Sequence, residues 1–412
     1  MRIITKKQPS QIGYVNAIDN CLTVINSKKS YFRNVHQFFY HRKVNSNLPR
    51  YSKRFAVFAF ICVGFFACNK DEVTGIQEPP ELESLVKFDL SRVPYDSLST
   101  YNFFDGLMSD QEPAYGVIPY DLITTLFTDY AHKHRFVWMP DSVSATYNSD
   151  NEVLNFPDGT VLIKSFYYDH VQPADETKII ETRLLIKVNG NWEFANYIWN
   201  SDQTAATLNL VGDNVDLSWI DENDISRDTR YRIPSEAECL NCHKINLEPI
   251  PIGPKPQNLN RDLMYEDGTM NQLQKWKDLG LISGNIPALI ETIVNWEDDS
   301  NSLQSRVRAY VDVNCSHCHA NEKHCDYRAP RFAWSETTDP ANLGICVVPD
   351  DIPIQQLTHI VSSGNIPRSA LHYRLNSTDE TVRMPLLGRT LVHEEAVQLI
   401  EQWINTLNPP CN

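Results

Sequence analysis

The sequence predicts an α+β chain of several domains: a β-rich, sandwich- or barrel-like module over residues 86–232, then a mainly α region running to residue 412. Three observations predict it. Asn189-Gly190 joins two runs rich in β-branched and aromatic residues, Ile179 to Val188 and Trp192 to Trp199, and this dipeptide suits the tight turn of a hairpin. Past residue 299 the apolar residues fall instead at helical spacing, as in Leu303, Val307, Tyr310 and Val311. Finally, one pentapeptide pattern occurs twice, as Cys239-Leu240-Asn241-Cys242-His243 and Cys315-Ser316-His317-Cys318-His319. A chain of 412 residues has room for two or three domains.

Residues 1–67 read as a leader. Arg50, Lys53 and Arg54 precede 13 apolar residues, Phe55 to Ala67, which end at Cys68. A basic flank, a short apolar run and a small residue before the cut describe a secretory signal, too short for a comfortable membrane span. Cys68, directly after that small residue, resembles the lipidated first residue of a mature bacterial lipoprotein, although Phe65 stands where such signals usually carry Leu. Residues 1–47 are basic and aperiodic, so the true start is expected near Val44 or Leu48. Residues 68–85 form a linker, with Pro79-Pro80 in it. Its Asn69-Lys70-Asp71-Glu72 resembles a surface-export signal of some bacterial lipoproteins, and a solvated tether is the plainer reading. The expected location is outside the cytoplasm, on a lipid anchor facing the periplasm or the cell surface.

The formal charge of −15 is unevenly spread. Residues 1–67 hold 11 Lys/Arg and a single acidic residue, Asp19, which leaves the rest of the chain with 26 basic and 51 acidic residues. So acidic a body is a poor nucleic-acid binder and suits basic or metal-bearing redox partners.

Within 86–232, Asp158-Gly159 opens a strand from Thr160 to Tyr168, and shorter strands are expected at Ala206 to Val211 and Val215 to Ile220. One helical patch spans Leu122 to Tyr130. His132, His134 and His170 read as loop or surface histidines, and Met139-Pro140 as an edge pair rather than a ligand. The module contains no catalytic constellation.

The repeated pentapeptide carries the chemistry. Two cysteines three apart can each form a thioether to one vinyl group of a haem, and the histidine that follows then gives its imidazole to the iron. Export fits, since haem c is attached outside the cytoplasm, where a free Cys-x-x-Cys pair risks becoming a disulfide. The first motif lies in a segment, 233–298, too short to be a complete cytochrome. There Ser235 can cap a short helix, Pro249, Pro251, Pro254 and Pro256 mark a loop, and a helix is expected from Asn271 to Leu281, stopping near Gly280. No sixth ligand is evident for this haem, because Met264 and Met270 have ordinary core or surface readings. The competing reading of the motif is a disulfide or a Cys/Cys/His metal set, which would still want a fourth ligand.

Residues 299–412 show an order of their own. A helix capped by Asp299-Ser300-Asn301-Ser302 leads straight into Cys315. Helices follow at Ile354 to Val361 and Pro367 to Leu375, then a loop with Met384-Pro385, then a last helix from Glu394 to Leu407. Helix, haem motif, helices, methionine loop and terminal helix is the order of a class I cytochrome c. Met384 is therefore the expected sixth ligand of the second haem, with His359, His372 and His393 as its competitors. Cys325 and Cys346 are left over and are candidates for a disulfide, while Cys411 has no obvious partner.

About 300 residues, from Tyr115-Gly116-Val117-Ile118-Pro119-Tyr120 to the C-terminus, resemble a family of exported bacterial dihaem c-type cytochromes. The residues that carry the resemblance include Asp129-Tyr130-Ala131, Glu181-Thr182-Arg183, Tyr197-Ile198-Trp199-Asn200, Arg232-Ile233-Pro234, Asn314 to His319, and Met384-Pro385-Leu386-Leu387-Gly388-Arg389. The resemblance implies a β-rich module joined to two haem sites, and it supplies no substrate.

The expected function is electron transfer through two covalent haems, one held by Cys239, Cys242 and His243, the other by Cys315, Cys318, His319 and Met384. Redox proteins would be the partners, with no catalytic residue assigned. The runner-up is a dihaem peroxidase or oxidase with an open position at the first iron, kept alive by the missing sixth ligand there. Against it, no acid/base pair suited to peroxide cleavage is evident. A third reading makes the β-rich module a ligand-binding domain, and little beyond the export signal favours it.

Overall fold

Pairing of long β-rich runs dominates the molecule. The computed structural model describes residues 84–351 and 354–412, so the leader, Cys68 and nearly all of the linker lie outside the described residues. Eight strands build one sheet: β1 (Ile118–Pro119), β2 (His132–Trp138), β4 (Val161–Val171), β5 (Glu176–Val188), β6 (Asn191–Trp199), β7 (Ala206–Leu208), β8 (Asp213–Ile220) and β9 (Ser226–Ile233). A short β3 (Ala145–Thr146) pairs separately with Ile282–Ser283. The sheet runs β1-β2-β4-β5-β6-β7, and the β8–β9 ribbon branches from the end of β4 at Val171↔Trp219. The hairpin turn lies at Asn189-Gly190, both with positive φ, which the mirror-image turn requires.

Alternation along the strands sorts the residues into two faces. On one face Phe136, Ile163, Leu184, Ile186 and Tyr197 are buried against Leu98, Tyr101 and Phe103 of the segment before β1. The Tyr101 and Tyr197 hydroxyls meet there at 3.1 Å. The opposite face carries two apolar patches. Val137, Leu162 and Trp192 pack on Leu259, Leu273 and Trp276, whereas Phe166 packs with Tyr168 and Tyr231. Between the patches runs a polar row, Arg135, Lys164, Arg183 and Asn196, one residue from each of four neighbouring strands.

Near the C-terminus, helix Leu303–Asn314 and helix Glu394–Thr406 share a core built from Val307, Tyr310, Val311, Val397, Ile400 and Trp403. Ser302 caps the first of these by accepting from the Ser305 N–H at 3.1 Å. The sheet and these helices belong to one compact unit. Among the described residues no helix is long and apolar enough to cross a membrane.

Four expectations need correction. The mainly α, cytochrome-like C-terminal region is not what forms: between helix Leu303–Asn314 and the short 3-10 turn Ile366–Arg368 the described chain is loops. The expected helix from Ile354 to Val361 is absent because its end pairs sideways, with Ile360 N–H donating to Val347 O and Cys346 N–H to Val361 O. The patch from Leu122 to Tyr130 is not helical either. Its N–H groups go to distant acceptors, Thr124 to Asn258 Oδ1 and Phe127 to Asn314 Oδ1, and Asp129 and Tyr130 have positive φ. Finally, all eight strands share one sheet, and β9 was not anticipated, because its alternation of charged residues hides a strand with only one buried face.

Candidate functional site

The first motif begins on a one-turn helix, Glu236–Cys239, whose N-terminus is closed by a capping box. Ser235 Oγ accepts from Glu238 N–H, and the Glu238 carboxylate accepts from Ser235 N–H at 2.8 Å and from Arg232 at 2.7 Å. The chain beneath can pass this close only as glycine. A Cβ on Gly212 would lie 2.8 Å from both Ile233 O and Ser235 N, and its φ is +79°. The turn carries Cys239 and sets His243 beside β6, where the His243 and Phe194 rings meet edge to face at 5.2 Å. His243 Nδ1 lies 3.0 Å from Ile250 O. A carbonyl can only accept, so Nδ1 carries the hydrogen and Nε2 keeps its lone pair for a metal. Burial depresses the His243 pKa to about 3, which holds the ring in the neutral, ligating form.

The second motif begins where helix Leu303–Asn314 ends, with Cys315 N–H still donating to Val311 O. Burial pushes the Cys315 thiol up to about 12. His319 is held differently from His243. Its Nδ1 is buried without a hydrogen-bond partner, and the ring is fixed by packing edge-on to Phe332, centroids 5.6 Å apart. Burial also lowers its pKa, to about 4.

Cys315, Cys318, His319 and Met384, which the sequence places at one iron, all line a single cavity of about 1150 Å³. Ile360, Leu371, Phe332 and Leu387 give it apolar walls, and Arg230, Arg232, Arg328, Arg374 and Arg383 line it as well. Of the first motif only Asn241 and Cys242 reach this cavity, while Cys239 and His243 lie outside its lining. The two motifs nevertheless touch. Cys242 Sγ and Cys318 Sγ are 3.9 Å apart, and this contact holds the Cys242 thiol below and the Cys318 thiol above the usual range. A ring nitrogen of His317 joins them, the three possible ligand atoms lying within 4.8 Å of one another.

The loop that carries Met384 is organised by a buried arginine. Arg389 is 2% exposed and donates to the carbonyl oxygens of Met384 at 2.8 Å, Leu391 at 2.9 Å, Ser377 at 3.0 Å and Leu375 at 3.1 Å. Asp129, from the segment before β2, accepts from Thr390 N–H at 2.7 Å and Leu391 N–H at 2.8 Å. Burial raises the Asp129 pKa, against the pull of those hydrogen bonds. The segment before β2 thus ties down the end of the methionine loop, and Thr229 of β9 adds a hydroxyl contact to Thr390 at 2.6 Å.

The competing ligands are engaged elsewhere. His372 Nε2 is 2.7 Å from Glu401, His393 Nδ1 is 3.2 Å from the Tyr310 hydroxyl, and His359 Nδ1 is 2.9 Å from Thr358 Oγ1; none of the three lines the cavity. Met139 is buried in the apolar core on the sheet, and Met264 is 72% exposed. His134 stacks on Tyr167, while His132 and His170 sit beside Asp169 and Asp175. The disulfide expectation was misplaced. Cys346 pairs with Cys411, Cα atoms 5.2 Å apart, and Cys325 is a buried free thiol. Spacing could not have found this pairing, because it depends on the terminal helix returning the chain end to the 345–363 loop. The five cavity arginines were also missed, since isolated arginines in an acidic chain carry no motif.

Compared with family models, curated proteins and solved structures, the chain matches none.

Proposed function

We propose that this protein is an exported dihaem c-type cytochrome, lipid-anchored through Cys68, that passes electrons between two covalently held haems and on to redox partner proteins. One observation carries the reading: the sulfur atoms of Cys242 and Cys318 lie 3.9 Å apart. This is a van der Waals separation rather than a bond, so both sulfurs can carry a thioether at once. Two groups attached there would be tethered at neighbouring atoms, and electron tunnelling falls off exponentially with distance. Each attachment adds a cysteine S–H across a vinyl C=C, forming one C–S and one C–H bond with nothing oxidised and nothing released.

Further support comes from the donor sets. When bound, haem supplies a one-electron iron couple whose potential the axial ligands set. His243, His319 and Met384 would ligate the irons, and Cys239, Cys242, Cys315 and Cys318 would anchor the rings. His243 donates its Nδ1–H to a carbonyl, which makes its imidazole a stronger donor, whereas His319 lacks that bond. With His319 and Met384 as its protein ligands, the second site would favour the reduced state more than the first, so electrons would run from the first motif to the second. A redox titration of the matured protein tests this. Two separate one-electron steps, with the higher assigned to the Met384 site by its loss in Met384→Ala, are expected. A single step would contradict the assignment of two unlike sites, and a high-spin ferric band or rapid turnover with peroxide would favour the peroxidase reading instead.

A second reading rests on the Cys242, His317 and Cys318 cluster, whose three donors could hold a soft metal such as zinc. It needs free thiolates at both cysteines. Stoichiometric zinc with no covalent haem in protein from a haem c-maturing host would select it.

A further inference from the structure

The row Arg135, Lys164, Arg183 and Asn196 crosses a buried sheet face that is otherwise apolar at both ends. Three of these are cations placed directly opposite one another on adjacent strands, an arrangement that is destabilising unless counter-charges are present. Two have them. Arg135 pairs with Asp121 at 2.7 Å, and Arg183 Nε donates to the Glu181 carboxylate at 2.9 Å. Asn196 donates to Pro234 O at 2.7 Å. Lys164, in the middle of the row, has no ion pair and no hydrogen bond among the described residues, and its ammonium rests 4.8 Å over the Phe166 ring. Burial and the cations beside it hold the Lys164 pKa well below the usual ammonium range, so this amine, with only a π-face for company, is incomplete until an anion joins it.

The same face receives the first motif. Phe194, which meets the His243 ring, is two residues from Asn196 on β6 and therefore points to the same side as the polar row. A ligand held at His243 would thus lie over a strip of sheet whose central lysine lacks an anion.

Resting on the dihaem reading, we propose that Lys164, with Arg183 and Arg135 beside it, is the carboxylate-binding group of the first site and takes a propionate of the haem held by Cys239, Cys242 and His243. This assigns the β-rich module a role: it forms one wall of the first haem pocket and supplies its counter-charge. On this reading the sheet is not a separate ligand-binding domain.

Lys164→Met tests it, with Lys164→Arg as the charge-preserving control, both matured with haem. Removing a cation near the iron, and leaving a carboxylate unpaired, favours the ferric state. Lys164→Met is therefore expected to lower the potential of the first haem while leaving the second unchanged, and Lys164→Arg to restore it. In haem-free chain, Lys164→Met should melt no lower than wild type, because it removes a buried amine that has no hydrogen-bond or ion-pair partner. An unchanged first potential with two haems bound overturns the proposal and leaves the dihaem reading intact. Loss of the first haem's low-spin spectrum in Lys164→Met also overturns it, by making the lysine an iron ligand. A wild-type chain carrying no haem at Cys239 overturns both.

Discussion

The same pentapeptide is built into two unlike surroundings. Cys239 to His243 rests on hydrogen-bonded strands: its helix is boxed by Ser235 and Glu238, its histidine is oriented by Ile250 O, and the sheet behind it carries Arg183 and Lys164. Cys315 to His319 is fed by one helix and walled mainly by loops, with Arg230 and Arg232 of β9 on one side, and the Arg389 contacts, the Asp129 contacts and the Cys346–Cys411 disulfide pin those loops together. The difference teaches that a motif sets the chemistry but not the means of positioning it. A sheet positions through its ladder, whereas a loop wall depends on a few buried polar or covalent ties. Changes at the Arg389 and Asp129 ties should damage the second site and spare the first, whereas opening the disulfide should cost stability alone.

The largest effect sharpens the comparison at its root. Cys315→Ala with Cys318→Ala should remove one of two haems and keep the first, and Cys239→Ala with Cys242→Ala should do the converse, read as haem per chain. Loss of both haems in either pair would mean that the two sites do not mature independently.

Next comes Arg389→Met. It leaves several buried carbonyl oxygens unsatisfied, each costing roughly 1–3 kcal/mol, so a loss of about 3–5 kcal/mol is expected in denaturant unfolding. The absorption band of thioether-bound ferric iron should fade while the first haem's spectrum stays unchanged. A variant that keeps that band would show that Met384 does not depend on the arginine.

Opening the disulfide with Cys411→Ser releases a 65-residue loop, for which about 2–4 kcal/mol is expected. The second haem's potential should move little, because neither cysteine lines the cavity. A large shift in potential would place the 345–363 loop closer to the iron than its lining residues indicate.

The smallest effect is on acid stability. His393 stacks on Phe127 at 4.0 Å, and burial depresses its pKa to about 3 from an ordinary 6.5. The unfolded chain therefore takes up a proton at a pH where the folded chain does not. Its contribution is complete above pH 6.5 and is lost as pH falls toward 3, at up to about 1.4 kcal/mol per pH unit. His393→Gln should flatten the pH dependence of the melting temperature across that window. An equally steep fall in the variant would assign the acid sensitivity to other groups.

What was legible in the sequence follows the range of the forces involved. The Asn189-Gly190 hairpin, the Ser235 and Ser302 caps, and helices Leu303–Asn314 and Glu394–Thr406 are set by neighbours within a few residues, and they form where expected. The two motifs stand out because covalent haem attachment would demand fixed residue types, and Met384 shares a cavity with the second motif. Residues 122–130 and 354–361 misled, since their apolar spacing suits a helix while their N–H groups bond across more than a hundred residues or to a parallel neighbour. Lys164 was invisible for a related reason: only strand register shows that it stands between two arginines.

The most direct measurement is covalent haem per chain, by the pyridine haemochrome of wild-type protein matured in a haem c-competent host, with the intact mass as a second count. The account predicts two. One per chain would leave a single motif as a haem carrier and remove the electron path across Cys242 and Cys318, and none would contradict the account altogether.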